Sequence, residues 1–145
     1  NYAERAQQIN KKIINWLESS KKKYPNVIKN IKGSGCLNGI ELFSPYVFIE
    51  RMLIKIPINF IQEKKQLINK ITSIAVCYEM YERFDILIFI KEVKDSVMLS
   101  ISPSFITTDK EIEKVLTSLD KIFSEGLTKC VSKFYKNMLK ELFIK

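Results

Sequence analysis

The chain has 145 residues, 46% hydrophobic and 28% charged, with a formal charge of +8. That size gives one domain burying about two thirds of its unfolded-chain surface, and the composition excludes a disordered or fibrous chain. There is no His, which removes the commonest general base and every Ser-His or Cys-His nucleophile pair.

Tyr2–Lys23 is predicted to be a helix. Tyr2, Ala6, Ile9, Ile13, Trp16 or Leu17, and Ser20 recur at three- and four-residue spacing between polar residues. Lys21, Lys22 and Lys23 suit the negative end of its dipole. Tyr24-Pro25-Asn26 stops it, because the residue before Pro avoids helical dihedrals. Residues 27–32 then read as a short strand. Gly33, Gly35 and Gly39 could suggest a phosphate loop, but that motif needs a helix directly after the glycines. Gly39-Ile40-Glu41-Leu42-Phe43 is strand-like instead. The glycines are therefore expected to make a bulge or tight β-corner.

Residues 44–60 are the least legible: a helical turn followed by an extended segment fits them, and Pro57 limits any strand there to a sheet edge. Residues 61–83 carry a helical stripe of Leu67, Ile68, Ile71, Ile74, Ala75, Tyr78 and Tyr81 or Glu82. Residues 85–92 are rich in β-branched and aromatic side chains and are expected to form a strand buried on both faces. Lys94-Asp95-Ser96 should turn it into an antiparallel partner over residues 97–102. Thr108 and Glu111 have the spacing of a capping box. The helix that follows, residues 109–124, should end on Gly126 as its left-handed residue. Leu127–Phe143 reads as a last, basic amphipathic helix. Such a helix more often packs on its own domain or on a partner than on a membrane.

Cys36, Cys77 and Cys130 are odd in number and far apart, which points to reduced thiols and a cytoplasmic setting. With no Cys-x-x-Cys and no His, metal binding has no support. No apolar run reaches the length of a membrane span, and the polar first dozen residues do not read as a secretory leader. The positive charge invites a nucleic-acid role. However, only Arg5, Arg51 and Arg83 of the 24 basic residues are Arg, and the lysines are spread over every helix. Base readout favours Arg, so the pattern weighs against that role. The residues alone thus describe a small basic α+β domain with no catalytic centre of its own.

The order helix, Pro-x-Val-Ile, Lys-Gly-x-Gly-x-x-x-Gly-Ile-Glu-Leu, helix, hairpin, Ser-Pro, Thr-Thr-Asp-x-Glu-Ile, helix runs from Pro25 to Ile112 after the first helix. It resembles the C-terminal small domain of class III aminotransferases, pyridoxal-phosphate enzymes of fold type I. The resemblance covers residues 1–126 and leaves 127–145 as a C-terminal helical extension. It implies an α+β fold, a small antiparallel sheet flanked by helices. It also implies a parent enzyme that moves an amino group from an amine donor to a carbonyl acceptor.

In that chemistry the cofactor is the electron sink, and its lysine and aspartate belong to a large domain that this chain lacks. The implied partners are that large pyridoxal-phosphate-binding domain and further copies of the chain, and activity from this chain alone is not expected. In many members a strand Arg grips a substrate carboxylate. The matching position here is Ser100, between Leu99 and Ile101, and a hydroxyl does not replace a bidentate Arg. Either the parent takes a different substrate or this copy is idle. Ser104 stands where the family has a second Pro. The alternative is a non-catalytic interaction module that binds a partner through Leu127–Phe143.

Overall fold

The computed structural model describes residues 1–53, 61–94 and 96–143. These form helix α1 (Tyr2–Lys23), strands β1 (Ile28–Ser34) and β2 (Leu37–Leu42), and helices α2 (Tyr46–Leu53) and α3 (Ile61–Phe84). Strands β3 (Phe89–Val93) and β4 (Ser96–Ile101) and helices α4 (Asp109–Glu125) and α5 (Leu127–Phe143) follow. The expected α+β class is what the chain adopts. Two hairpins, β1–β2 and β3–β4, join through β2 and β4 into one antiparallel sheet of order β1-β2-β4-β3.

Residues directly opposite one another share a face of the sheet. Ile31, Ile40, Leu99 and Ile90 therefore form one row across all four strands. This row faces the helices: Ile40 and Leu99 are fully buried, and Ile31 and Ile90 pack on the core. Helix α1 lies on β1 and β2 and helix α3 on β2, β3 and β4, while α4 and α5 pack behind them. Ile9, Ile13 and Leu17 are the buried stripe of α1, as their spacing predicts. Tyr2, placed on that stripe by spacing, is 75% exposed and rests instead against the ring of Phe105. Asn1 caps α1 by accepting the N–H of Ala3, and the chain leaves the helix at Tyr24, before Pro25.

The glycine stretch differs from expectation. Gly35 and Cys36 form the two-residue turn of the first hairpin, with Ser34 opposite Leu37. Gly35 has a φ of 58° and Cys36 does not share the positive φ, the pattern of a type II′ turn with Gly in first place. The bulge lies upstream: Ile28 opposes Leu42 while Asn30 opposes Glu41, so Lys29 is the extra residue. Glycine spacing signals the turn but is silent about the bulge, which places the Lys29 ammonium 2.7 Å from Glu41.

The strand expected over residues 85–92 begins later, at Phe89, and is an edge strand rather than one buried on both faces. Ile86 and Ile88 are buried, whereas Leu87 and Phe89 are 69% and 68% exposed. A short apolar run does not reveal whether its second face will be covered, and here it is not. Tyr46–Leu53 is helical, so the helical half of the alternatives for residues 44–60 holds there. Residues 54–60, including the extended segment and Pro57, lie outside the described residues.

Helix α3 buries more than its apolar stripe. Thr72, Ser73, Val76, Glu79 and Met80 are buried alongside Ile68 and Ala75, while Tyr81 is exposed. The helix is sandwiched between the sheet and helices α4 and α5, so polar residues are enclosed too. Thr72 donates its hydroxyl to the Ile68 carbonyl four residues back, which satisfies it internally. The α4 capping box forms: the Glu111 N–H donates to Thr108 Oγ1, and the Thr108 N–H donates to Glu111 Oε2 at 2.7 Å. Gly126 has a φ of 87° but a ψ of 145°, not the left-handed helical pair expected of it. That dihedral, open mainly to glycine, redirects the chain so that α5 starts at the next residue.

Candidate functional site

Two places in this fold concentrate chemistry-bearing side chains. The first is the sheet face turned away from α1 and α3. Its rows are Lys32, Gly39, Ser100 and Phe89, and beside it Asn30, Glu41, Met98 and Lys91. They form a shallow groove of about 400 Å³, whose lining includes Lys32, Leu37, Gly39, Lys91, Met98 and Ser100. Gly39 keeps the floor low, since a Cβ there would lie 3.2 Å from the Met98 Cε. Leu37, Phe89 and Val93 leave apolar surface exposed on this face.

Ser100 sits in this floor on central strand β4, half-buried, with its Oγ 2.9 Å from the Ser102 Oγ. The residue that sequence comparison singles out therefore faces the groove. Lys32 and Lys91, which that comparison missed, stand on the two outer strands and also line it. Neither has an acidic partner among the described residues. Among the described residues no acid lines the groove: Glu41 is turned to Lys29, and Glu92 projects to the opposite face and pairs with Lys70. No local pattern in β1 or β3 marks these lysines, and only the pairing register brings them to one groove.

The second place is the junction of α3, α4 and α5. Glu79 is 4% exposed and accepts from Arg83 Nη1 at 3.1 Å and from Lys133 Nζ at 3.3 Å. Arg83 also grips Glu125 with both terminal nitrogens, at 3.3 and 2.7 Å. Lys129 and Lys133 complete the cluster at 3.3 and 3.5 Å from Glu125. Hydrogen bonding to Arg83 holds the Glu125 carboxyl down at about 2. Beneath this cluster, Leu127, Cys130 and Val131 of α5 are buried, and Phe134 meets Tyr78 edge-on at 5.4 Å. The first half of the apolar face of α5 is thus in use within the domain. Both carboxylates of the cluster are matched by cations within it, which suits a tether rather than a reaction site.

Two of the three cysteines, Cys77 and Cys130, offer no nucleophile. All three are free thiols; burial pushes Cys77 up to about 11 and Cys130 up to about 12, so neither is a thiolate at neutral pH. Among the described residues no group of His, Cys, Asp or Glu could hold a metal ion. No helix among them is long and apolar enough to cross a membrane. The described residues also do not fit pyridoxal phosphate. Among them the groove has no carboxylate to pair with a pyridine nitrogen. The best-formed helix start, at Thr108, is filled by the Glu111 side chain.

Solved structures that share this fold include segments of two much longer chains. An S-selective transaminase from Arthrobacter sp., solved with alanine bound, is 20% identical, with a TM-score of 0.61 over 90% of this chain and 27% of that one. A mutant of Rv3290C from M. tuberculosis is 12% identical, with a TM-score of 0.59 over 86% of this chain and 22% of that one. At these identities the likeness is one of fold, and the chain spans only 22–27% of the length of those structures. No protein-family model matches the chain, and no curated protein matches it in sequence.

Proposed function

We propose that this chain is the C-terminal small domain of a pyridoxal-phosphate-dependent, class III aminotransferase-like protein, which transfers an amino group between an amine donor and a carbonyl acceptor. The observation that carries the reading is the fold shared with a segment of a transaminase. It supports the resemblance carried by the Pro25–Leu42 and Leu99–Ile112 stretches. The sheet face bearing Ser100 is open, which fits a surface that a large domain covers.

In this reading residues 1–126 are the domain and 127–145 its extension, the assembly is a cytoplasmic homodimer, and the large domain is the partner. The cofactor, bound by that large domain, supplies the electron sink. The groove residues Ser100, Lys32 and Lys91 contribute substrate contacts and exclusion of water, not bond-breaking. This chain alone is inactive.

The test is the extent of the natural polypeptide, by intact mass and by the reading frame upstream of Asn1. A chain several times longer that carries a borohydride-trappable cofactor on a lysine outside residues 1–145 is the expected result. A natural chain that begins at Asn1 and has no separate cofactor-binding partner overturns the reading.

A further inference from the structure

We propose that the groove on the open sheet face binds an elongated organic dianion, an apolar body with an acidic group at each end. The argument rests on charge and spacing. Lys32 and Lys91 are solvent-exposed lysines lining one groove without an acid beside either of them among the described residues. Elsewhere in the molecule the neighbouring sheet lysine, Lys29, is matched to Glu41, and Lys70 to Glu92. The groove thus gathers two positive charges that have no acid beside them among the described residues, and a ligand carrying two negative ones neutralises both.

Position sets the shape of that ligand. Lys32 is on β1 and Lys91 on β3, the two outer strands of the sheet. Three strand spacings separate them, about 14 Å at the backbone. A molecule with separated acids meets an ammonium at each end of that span without drawing the two like charges together, as a compact anion would require. The floor between them is the bare Gly39 and the Met98 side chain, with the Ser100 hydroxyl as a central hydrogen-bonding group. Such a floor suits a flat or flexible hydrocarbon segment, and the groove's size lies within the range of small-molecule sites. The inference rests on the enzyme reading above in one respect, the substrate contacts given there to Lys32 and Lys91, and names the chemical class they take. It is read out by binding to this chain, whereas the domain reading is read out by the extent of the natural polypeptide, so the two failures are distinguishable.

The experiment titrates the protein with suberate, octanoate and 1,8-octanediol at low and high salt, followed by amide chemical shifts and calorimetry. Suberate should saturate, move the amides of Lys32, Gly39, Lys91 and Ser100, and weaken with salt. Octanoate should bind roughly tenfold more weakly, and the diol should not saturate. Lys32→Gln and Lys91→Gln should each lower suberate affinity about five- to tenfold, with each variant binding suberate about as the parent binds octanoate. Both positions are exposed, so unchanged unfolding midpoints check that the variants stay folded. Equal affinity for suberate and octanoate, dependence on only one of the two lysines, or no saturable suberate binding overturns the proposal.

Discussion

At the α3–α4–α5 junction, Arg83, Lys129 and Lys133 meet two carboxylates within 3.5 Å. At the groove, Lys32 and Lys91 meet none among the described residues. The two regions carry the same residue types with opposite solutions. Where helices enclose charges, each needs a counter-charge, because a lone buried charge is strongly destabilising. On the open sheet face water can solvate an unmatched ammonium, so charge can be left free for something else. The difference separates charges that hold the fold from charges available to a ligand.

Substitutions on the two sides of the sheet and at the junction sharpen this contrast, in descending size. Leu99→Ala, at the centre of the helix-facing row, should cost about 3–4 kcal/mol in urea unfolding. A loss near that of a surface residue would mean the sheet is not packed as described. Arg83→Ala should cost about 2–3 kcal/mol, because it leaves the enclosed Glu79 with Lys133 alone and takes the two-nitrogen grip from Glu125. If Arg83→Ala unfolds no more easily than the parent, the junction is not a tether.

The low Glu125 pKa gives a pH test of the same cluster. Its carboxyl is more acidic when folded than its ordinary 4.5. The stabilisation is therefore complete above pH 4.5 and is lost as pH falls toward 2. The drop should be about 2 kcal/mol, after allowing for partial contact with solvent. It should vanish in Glu125→Gln; an unchanged acid limb in that variant would falsify the assignment. Thr108→Ala should remove the α4 cap at a cost of about 1 kcal/mol, seen as a lower thermal midpoint. Leu37→Ser on the open face should change stability by no more than about 0.5 kcal/mol, and a larger loss would show that this face is already covered.

Much of this architecture was legible because local physics dictates it. The α1 stripe, the Thr108–Glu111 box, the second hairpin and the α5 start each depend on residues within a few positions of one another. The misreadings share a different cause. The run before Phe89 looks equally apolar whether one face is covered or two, and only the strand order β1-β2-β4-β3 makes β3 an edge. The Gly35 turn has a local signature, yet the Lys29 bulge depends on how β1 pairs with β2. On α3 the spacing found the apolar stripe and missed Glu79, whose enclosure depends on α4 and α5 arriving from distant sequence.

The candidate site divides in the same way. Ser100 was reachable through family likeness, as a strand residue flanked by apolar neighbours. Lys32 and Lys91 are two of many lysines in the chain, and nothing local marks them. The sequence by itself determined the long helices, the Thr108–Glu111 cap, the second hairpin and the absence of His, because dihedral preference and short-range hydrogen bonds decide the local elements. Tertiary structure alone decided which sheet face stays open, which charges are neutralised, and that two lysines 59 positions apart line one groove. Register and burial are properties of pairs of segments, and no single segment encodes them.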